Sequence, residues 1–103
     1  MSELLLKQIE FARKMPKLVD KAFILGYNVT IGDVYRDPRC NYGHKNSLHR
    51  KRLAIDLNLF RHGVYLIDGA AHNELHDFWD TLNGSGRIIT DLNHYSLPYD
   101  GMT

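Results

Sequence analysis

Residues 47–56, SLHRKRLAID, and residues 91–94, DLNH, determine the fold that we expect for this chain. Within them, His49, Asp56 and His94 could supply three ligands to one metal ion. Three protein ligands, with a fourth position kept by water, are typical of a catalytic zinc site. The rest of the chain is then expected to form the scaffold that brings the two stretches together.

The spacing of His49 and Asp56 predicts a turn between them. Both ligand atoms must lie about 2 Å from a shared metal ion. Seven residues would separate the two side chains by roughly 23 Å along a straight strand and by roughly 10 Å along a continuous helix. The chain therefore has to reverse at residues 50–52, RKR.

From Leu53 onward, apolar and polar residues alternate, which predicts a half-buried strand over residues 53–60. Leucine or isoleucine occupies positions 53, 55, 57 and 59, so Asp56 is expected to face away from the core. The same alternation places His94 and Tyr95 on opposite faces of a last short strand.

The remaining segments predict two helical regions. Residues 3–25 carry apolar side chains at helical spacing, and Pro16 predicts either a kink or two helices in tandem. Leu75, Phe78, Trp79 and Leu82 follow the spacing of one helical face and predict a helix over residues 70–82.

Further strands are predicted over residues 27–35, 64–67 and 87–89. A turn at residues 61–63 should join the strand 53–60 to the strand 64–67 as a hairpin. The expected fold class is α+β, with an N-terminal helical region and a short central helix packed on a small antiparallel sheet.

Length and composition indicate a single domain over residues 1–103, because 103 residues are enough for one hydrophobic core. The hydrophobic content of 44% and the charged content of 24% are ordinary for a soluble globular protein. A net charge of +1 gives no general attraction to nucleic acid or to an anionic membrane. The single cysteine, Cys40, excludes an intrachain disulfide and fits a reducing compartment.

The N-terminal stretch includes Leu4-Leu5-Leu6, but charged residues follow closely. It is too short and too charged for a signal peptide or a membrane-spanning helix. We therefore expect a protein that is made in the cytoplasm, does not insert into a membrane and needs outside help for any later export.

The other histidines are weaker candidates for metal ligands. His72 and His76 have a helical spacing that can bind zinc, but no glutamate follows His72, so a partly exposed helical pair is expected. His62 falls in a predicted turn and should meet solvent, and His44 lies in the loop before the proposed site.

The motif Ser47-x-His49-x-x-Arg52-x-Ala54-x-Asp56 resembles the signature S-x-H-x-x-G-x-A-x-D of one family of zinc peptidases. This family includes D-alanyl-D-alanine carboxypeptidases, D-Ala-D-Ala dipeptidases and the L-alanyl-D-glutamate endopeptidases of phage endolysins.

Two further segments are similar to motifs of the same family. Asp91-x-x-His94-Tyr95 is similar to its second signature, an acidic residue three positions before a histidine that an aromatic residue follows. The segment 26–36, which begins GY and ends YR, is similar to a strand of the family. The three matches occur in the family's order and, with the preceding helix, cover most of the chain.

The resemblance implies that His49, Asp56 and His94 bind Zn²⁺. It also implies that Asp91 is the general base, which takes a proton from the attacking water and passes it to the leaving amine. Zinc chemistry agrees, because zinc can lower the pKa of bound water to about 7.

The resemblance also assigns roles to Arg36 and Ser47. Arg36 would hold a substrate carboxylate or stabilise the developing oxyanion. Its alternative is a surface ion pair with Asp33 or Asp37. Ser47 would hydrogen-bond the substrate or orient a ligand, and its alternative is a turn-forming hydroxyl.

Arg52 occupies the position of the family's glycine. Glycine would allow a turn with a positive φ, which arginine adopts only at a cost. Either this turn has a different shape, or the position is not left-handed here. The basic run 50–52 could contact nucleic acid, attract the acidic groups of stem peptides or simply be solvated. Because the run is short and has no interleaved aromatic residues, nucleic-acid binding is not favoured.

The function implied by the resemblance is hydrolysis of an amide bond in peptidoglycan stem peptides by a monomer. Endolysin-type L-alanyl-D-glutamate endopeptidase activity is the first expectation, and D-alanyl-D-alanine carboxypeptidase activity is the alternative. A catalytically inactive, metal-stabilised cell-wall binding module is the non-enzymatic alternative. A short chain without a signal peptide resembles a phage or prophage lysis enzyme, which acts on the wall after release through a separate pore.

Overall fold

The computed structural model describes residues 1–43 and 47–103. Within them the chain forms two α-helices and four strands: α1 (Glu3–Ile24), β1 (Asn28–Ile31), β2 (Ala54–Arg61), β3 (Val64–Tyr65), α2 (His72–Thr81) and β4 (His94–Ser96). Short 3-10 turns precede β2 and α2 at Leu48–Lys51 and Gly69–Ala71. The predicted α+β class, with helices packed on a small antiparallel sheet, is confirmed.

The helix α1 is continuous although Pro16 lies inside it, so the predicted alternative of two helices in tandem is wrong. Ser2 caps its start, because the Ser2 hydroxyl accepts a hydrogen bond from the Leu5 N–H at 3.1 Å. Apolar side chains on both sides of Pro16 pack into the core, which holds the two halves in line. These buried residues are Phe11, Leu18 and Ala22. Neither helix of the described chain has the length and apolar character needed to cross a lipid bilayer.

The strand β2 is the centre of the sheet, because every other strand pairs with it in the antiparallel direction. Beyond β1 the chain continues along β2: the Gly32 N–H donates to Asp56 O, and the Asp56 N–H donates to Asp33 O, both at 2.8 Å. Since both backbone groups of Asp56 bond to this segment, β4 lies along the opposite edge of β2.

The core fills the space between the sheet and the two helices. The Trp79 Nε1–H of α2 donates to Ser96 O of β4 at 2.8 Å, and the Trp79 ring meets Phe11 of α1 edge-on at 6.1 Å between centroids. The alternation predicted for β2 is confirmed, since its apolar series is fully buried: Leu53, Ile55, Leu57 and Leu59.

Three predicted strands differ from the observed elements. The segments 27–35 and 64–67 form shorter strands, β1 and β3, although the Gly32 and Leu66 N–H groups just beyond them still donate to β2. The segment 87–89 forms no strand. Ile88 makes only an isolated bridge to Asp91, whose N–H donates to Ile88 O at 2.8 Å, so this part of the chain is a tight turn.

Arg52 has a φ of 58°, so the backbone is left-handed at this residue. The alternative that this position is not left-handed is therefore wrong, and a different shape of the turn stays a prediction. The Arg52 guanidinium lies 4.0 Å from the centroid of the Tyr35 ring. This cation–π contact offsets part of the backbone strain. The turn reverses the chain between His49 and β2, as the ligand spacing requires.

Candidate metal centre

Three separate elements bring His49, Asp56 and His94 together. His49 lies in the turn Leu48–Lys51, Asp56 lies on β2, and His94 lies on β4 as the direct cross-strand partner of Asp56. Residues that are directly opposite on antiparallel strands project their side chains from the same face. The left-handed turn then places His49 beside this pair.

The three ligand atoms form a compact triangle. His49 Nε2 lies 3.2 Å from Asp56 Oδ1 and 3.2 Å from His94 Nδ1, and His94 Nδ1 lies 3.5 Å from Asp56 Oδ1. Bonds of about 2 Å at tetrahedral angles would separate ligand atoms by about 3.3 Å. The group can therefore hold one metal ion, and the described residues supply three ligand atoms to it.

Backbone contacts orient His49 toward the other two ligands. The His49 Nδ1 lies 3.1 Å from Val34 O. An Nδ1–H that donates to this carbonyl leaves Nε2 unprotonated and facing the ligand triangle, as metal-binding histidines require. The Arg36 N–H also donates to His49 O at 3.1 Å. The segment that follows β1 thus aligns His49 as well as Asp56.

Burial makes a cation favourable at this position. His49 is only 3% exposed and His94 only 6% exposed. The Asp56 Oδ1 is buried, and no well-formed hydrogen bond from the described residues reaches it. A buried carboxylate oxygen is costly without a donor or a cation, so a bound ion would satisfy this atom.

The neighbouring groups shift the pKa values of two ligands. Burial opposes ionisation of Asp56, but the imidazoles of His49 and His94 outweigh it and lower the Asp56 pKa to about 2. Burial likewise opposes protonation of His49, but Asp56 and the Val34 carbonyl raise the His49 pKa above its usual value. A proton and a metal ion therefore compete for His49, so acid weakens metal binding.

The ligand triangle opens into a cleft of about 320 Å³, which we call the metal cleft. All six residues proposed from the sequence line it: Arg36, Ser47, His49, Asp56, Asp91 and His94. The cleft therefore combines a group that could hold a metal ion with the Asp91 carboxylate, the Arg36 guanidinium and the Ser47 hydroxyl.

Arg36 is a fixed cation in this cleft. It is 9% exposed, its Nη2 lies 3.2 Å from Asp33 Oδ2, and its guanidinium lies 4.8 Å from the centre of the Tyr42 ring. Burial lowers the pKa of Arg36, but Asp33 and Tyr42 outweigh it and the net shift is upward. The ion pair between Arg36 and Asp33 is thus present, and Arg36 still lines the cleft. Asp37 instead pairs with Arg39.

Ser47 caps the turn that carries His49. Its hydroxyl oxygen accepts a hydrogen bond from the His49 N–H at 3.2 Å. The turn-forming alternative is therefore present, and the role of orienting a metal ligand stays a prediction. The hydroxyl proton stays available as a donor to a group in the cleft.

His72 and His76 correct an expectation drawn from the sequence, because they are buried at 4% and 0% exposure. The reason is visible in the helix spacing. Residues 72, 75, 76 and 79 follow the pattern of one helical face, and Leu75 and Trp79 turn that face toward the core. That pattern is the signal that could have identified both histidines as interior residues.

His76 supports the loop that contains Asp91. Its Nε2 lies 2.7 Å from Leu92 O, and its ring stacks on Tyr95 at 4.1 Å between centroids. Burial lowers the pKa of His76, so the neutral ring donates its Nε2–H to the Leu92 carbonyl. This bond holds the loop 91–94 against α2.

The other basic residues named from the sequence lie outside the metal cleft or make local contacts. His62 is exposed in the turn between β2 and β3, as predicted. Arg50 donates to Cys40 O at 2.7 Å and to Pro38 O at 3.0 Å, which anchors the loop before the site. His44 lies outside the described residues.

Comparisons with protein-family models, with curated proteins and with solved structures find no match to this chain.

Metal-free protein is expected to bind one zinc ion per chain in isothermal titration calorimetry. His49→Ala and His94→Ala should each weaken the affinity by more than about 100-fold, because removing a ligand costs more than removing a group that orients one. His62→Ala removes an exposed histidine and should titrate like the unchanged protein. Unaltered zinc affinity in both ligand variants would contradict the site.

His76→Phe keeps an aromatic ring against Tyr95 but removes the donor to Leu92 O. The unpaired carbonyl should lower the free energy of unfolding by about 1–3 kcal/mol. The looser loop should also weaken zinc affinity by about tenfold. Urea unfolding and zinc titration measure the two effects, and a variant that binds zinc as tightly as the unchanged protein would show that the loop does not depend on this bond.

Proposed function

We propose that this protein is a zinc-dependent peptidase that hydrolyses an amide bond in peptidoglycan stem peptides. The supporting observation is the convergence of His49, Asp56 and His94 in a cleft that Asp91 and Arg36 also line. The motifs that carry these residues resemble those of the zinc peptidases described above and follow the same order. Within that family we propose L-alanyl-D-glutamate endopeptidase activity of the endolysin type.

The ligand set favours zinc over other common divalent ions. Magnesium and calcium prefer six or more oxygen ligands, whereas zinc accepts mixed nitrogen and oxygen ligands in a tetrahedral arrangement. Two imidazoles and one carboxylate at the observed separations suit a four-coordinate ion that keeps one position for water or substrate. Catalytic zinc sites have this open position, and structural sites do not.

Asp91 is the proton carrier of the proposed reaction. When bound, zinc supplies Lewis-acid activation of a water molecule and of the scissile carbonyl. Asp91 lines the same cleft but is not part of the ligand triangle, so its carboxylate is free to accept the proton of the attacking water. It then returns this proton to the leaving amine, a role that contributes about 10²–10⁴-fold to a rate.

Arg36 and Ser47 position the substrate and the metal ligands. The raised pKa of Arg36 keeps the guanidinium charged, and its pairing with Asp33 fixes where that charge lies. It holds the free carboxylate of a D-glutamyl residue or stabilises the developing oxyanion. Ser47 keeps the His49 turn in place and offers its hydroxyl proton to the substrate.

Incubation with purified peptidoglycan, followed by mass spectrometry of the soluble products, tests the proposed activity. The zinc-loaded protein is expected to release fragments with a new amino group on D-glutamate. A chelator should abolish the release, and added zinc should restore it. Free D-alanine as the product would assign the carboxypeptidase activity instead, and no product at all would leave a metal-stabilised binding module.

Asp91→Ala is expected to lower the rate of hydrolysis by about 10²–10⁴-fold, because it removes the proton carrier. Its zinc affinity should stay close to that of the unchanged protein, since Asp91 is not a ligand. Asp20→Ala removes an exposed carboxylate of α1 that does not line the metal cleft, and it serves as the control. Full hydrolysis by Asp91→Ala would contradict the role of this residue.

A further inference from the structure

A second cleft adjoins the metal cleft. Its volume is about 230 Å³, and its lining comes from the end of β3, the start of α2 and the loop 89–93. Asp91 lines both clefts. A substrate that extends past the proposed proton carrier would therefore enter the second cleft.

His72 supplies an oriented polar group to the second cleft. It is 4% exposed, and its Nδ1 lies 2.6 Å from the hydroxyl of the fully buried Tyr95. Burial, together with His76, lowers the pKa of His72 to about 4, so its ring is neutral at pH 7.

The contact with Tyr95 also selects the tautomer of His72. The buried phenol O–H has the His72 Nδ1 as its acceptor, so the ring proton of His72 belongs on Nε2. His72, which lines the second cleft, thus carries an N–H donor at Nε2. The buried hydrogen bond to Tyr95 fixes the orientation of the ring.

Tyr65 adds an aromatic surface to the same cleft. Its ring packs against Phe60, with 5.4 Å between centroids, yet Tyr65 remains 46% exposed. Ile67 and Ile89 also line the cleft and are 87% and 89% exposed. The accessible lining of the cleft is mainly polar, so the Tyr65 ring and the two isoleucines lie beside hydrogen-bonding groups.

The two clefts differ in charge. Arg36 lines the metal cleft, whereas the described residues that line the second cleft include no lysine or arginine and only one carboxylate, that of Asp91. An anionic group is therefore favoured beside Arg36, and an uncharged group is favoured in the second cleft. Donors next to an exposed aromatic ring suit the hydroxyl and acetamido groups of a sugar.

We propose that the second cleft is a binding subsite for the acetamido sugar to which the stem peptide is attached. This inference rests on the proposed function. In a stem peptide, L-alanine is joined to the sugar on one side and to D-glutamate on the other. The sugar and the acidic residue thus lie on opposite sides of the scissile bond. The acidic residue lies at Arg36, the bond lies at the metal ligands and Asp91, and the sugar lies in the second cleft.

Two soluble substrates test this subsite: an N-acetylated stem tetrapeptide and the matching disaccharide-tetrapeptide. The alanine nitrogen is then part of an uncharged amide in both substrates. The kcat/KM of the unchanged protein should be about tenfold higher for the disaccharide substrate, which corresponds to about 1.4 kcal/mol of added binding. Tyr65→Ala should bring the ratio of the two values close to one. Phe23→Ala removes a ring of similar exposure, 51%, from α1 and should keep the tenfold ratio.

Equal kcat/KM values in the unchanged protein, or an unaltered ratio in Tyr65→Ala, would overturn the sugar subsite and leave the peptidase proposal intact. Cleavage of neither substrate would instead overturn the peptidase proposal. Calorimetric titration of the zinc-loaded protein with the disaccharide-tetrapeptide then decides the subsite. Binding that weakens about tenfold in Tyr65→Ala supports it, and absent or equal binding contradicts it.

Discussion

The pairing of Asp56 with His94 across β2 and β4 is the constraint on which the metal centre depends. The register joins Ala54 to Ser96, Ile55 to Tyr95 and Asp56 to His94. A shift by one residue would turn His94 to the opposite face of the strand. The core prevents such a shift, because Ile55 and Tyr95 are fully buried on the other face. The burial that stabilises the domain therefore also aligns two of the three ligands.

The same helix face that completes the core also supports the candidate site. Trp79 bonds to the β4 backbone, His76 bonds to the loop 91–94, and His72 bonds to Tyr95. The third ligand, His49, depends instead on the left-handed turn at Arg52 and on the carbonyl of Val34. The packing of α2, the Ser47 cap and the left-handed turn at Arg52 thus all contribute to the shape of the metal cleft.

Local patterns predicted much of this arrangement. The alternation after Leu53 predicted β2 and the outward direction of Asp56, and the motif spacing predicted that His49, Asp56 and His94 come together. Features that depend on tertiary contacts could not be predicted in the same way. The burial of His76 depends on where α2 packs, although its spacing from Leu75 and Trp79 carried a signal. The conformation of Arg52, the early ends of the strands and the second cleft depend on the assembled chain.

Zinc soaked into crystals of the metal-free protein, with anomalous diffraction recorded at the zinc absorption edge, tests the central claim most directly. We expect one strong peak about 2 Å from His49 Nε2, from an Asp56 carboxylate oxygen and from His94 Nδ1. A peak at another position, or a crystal structure in which the imidazoles of His49 and His94 point away from each other, would contradict the metal centre and the chemistry proposed for it.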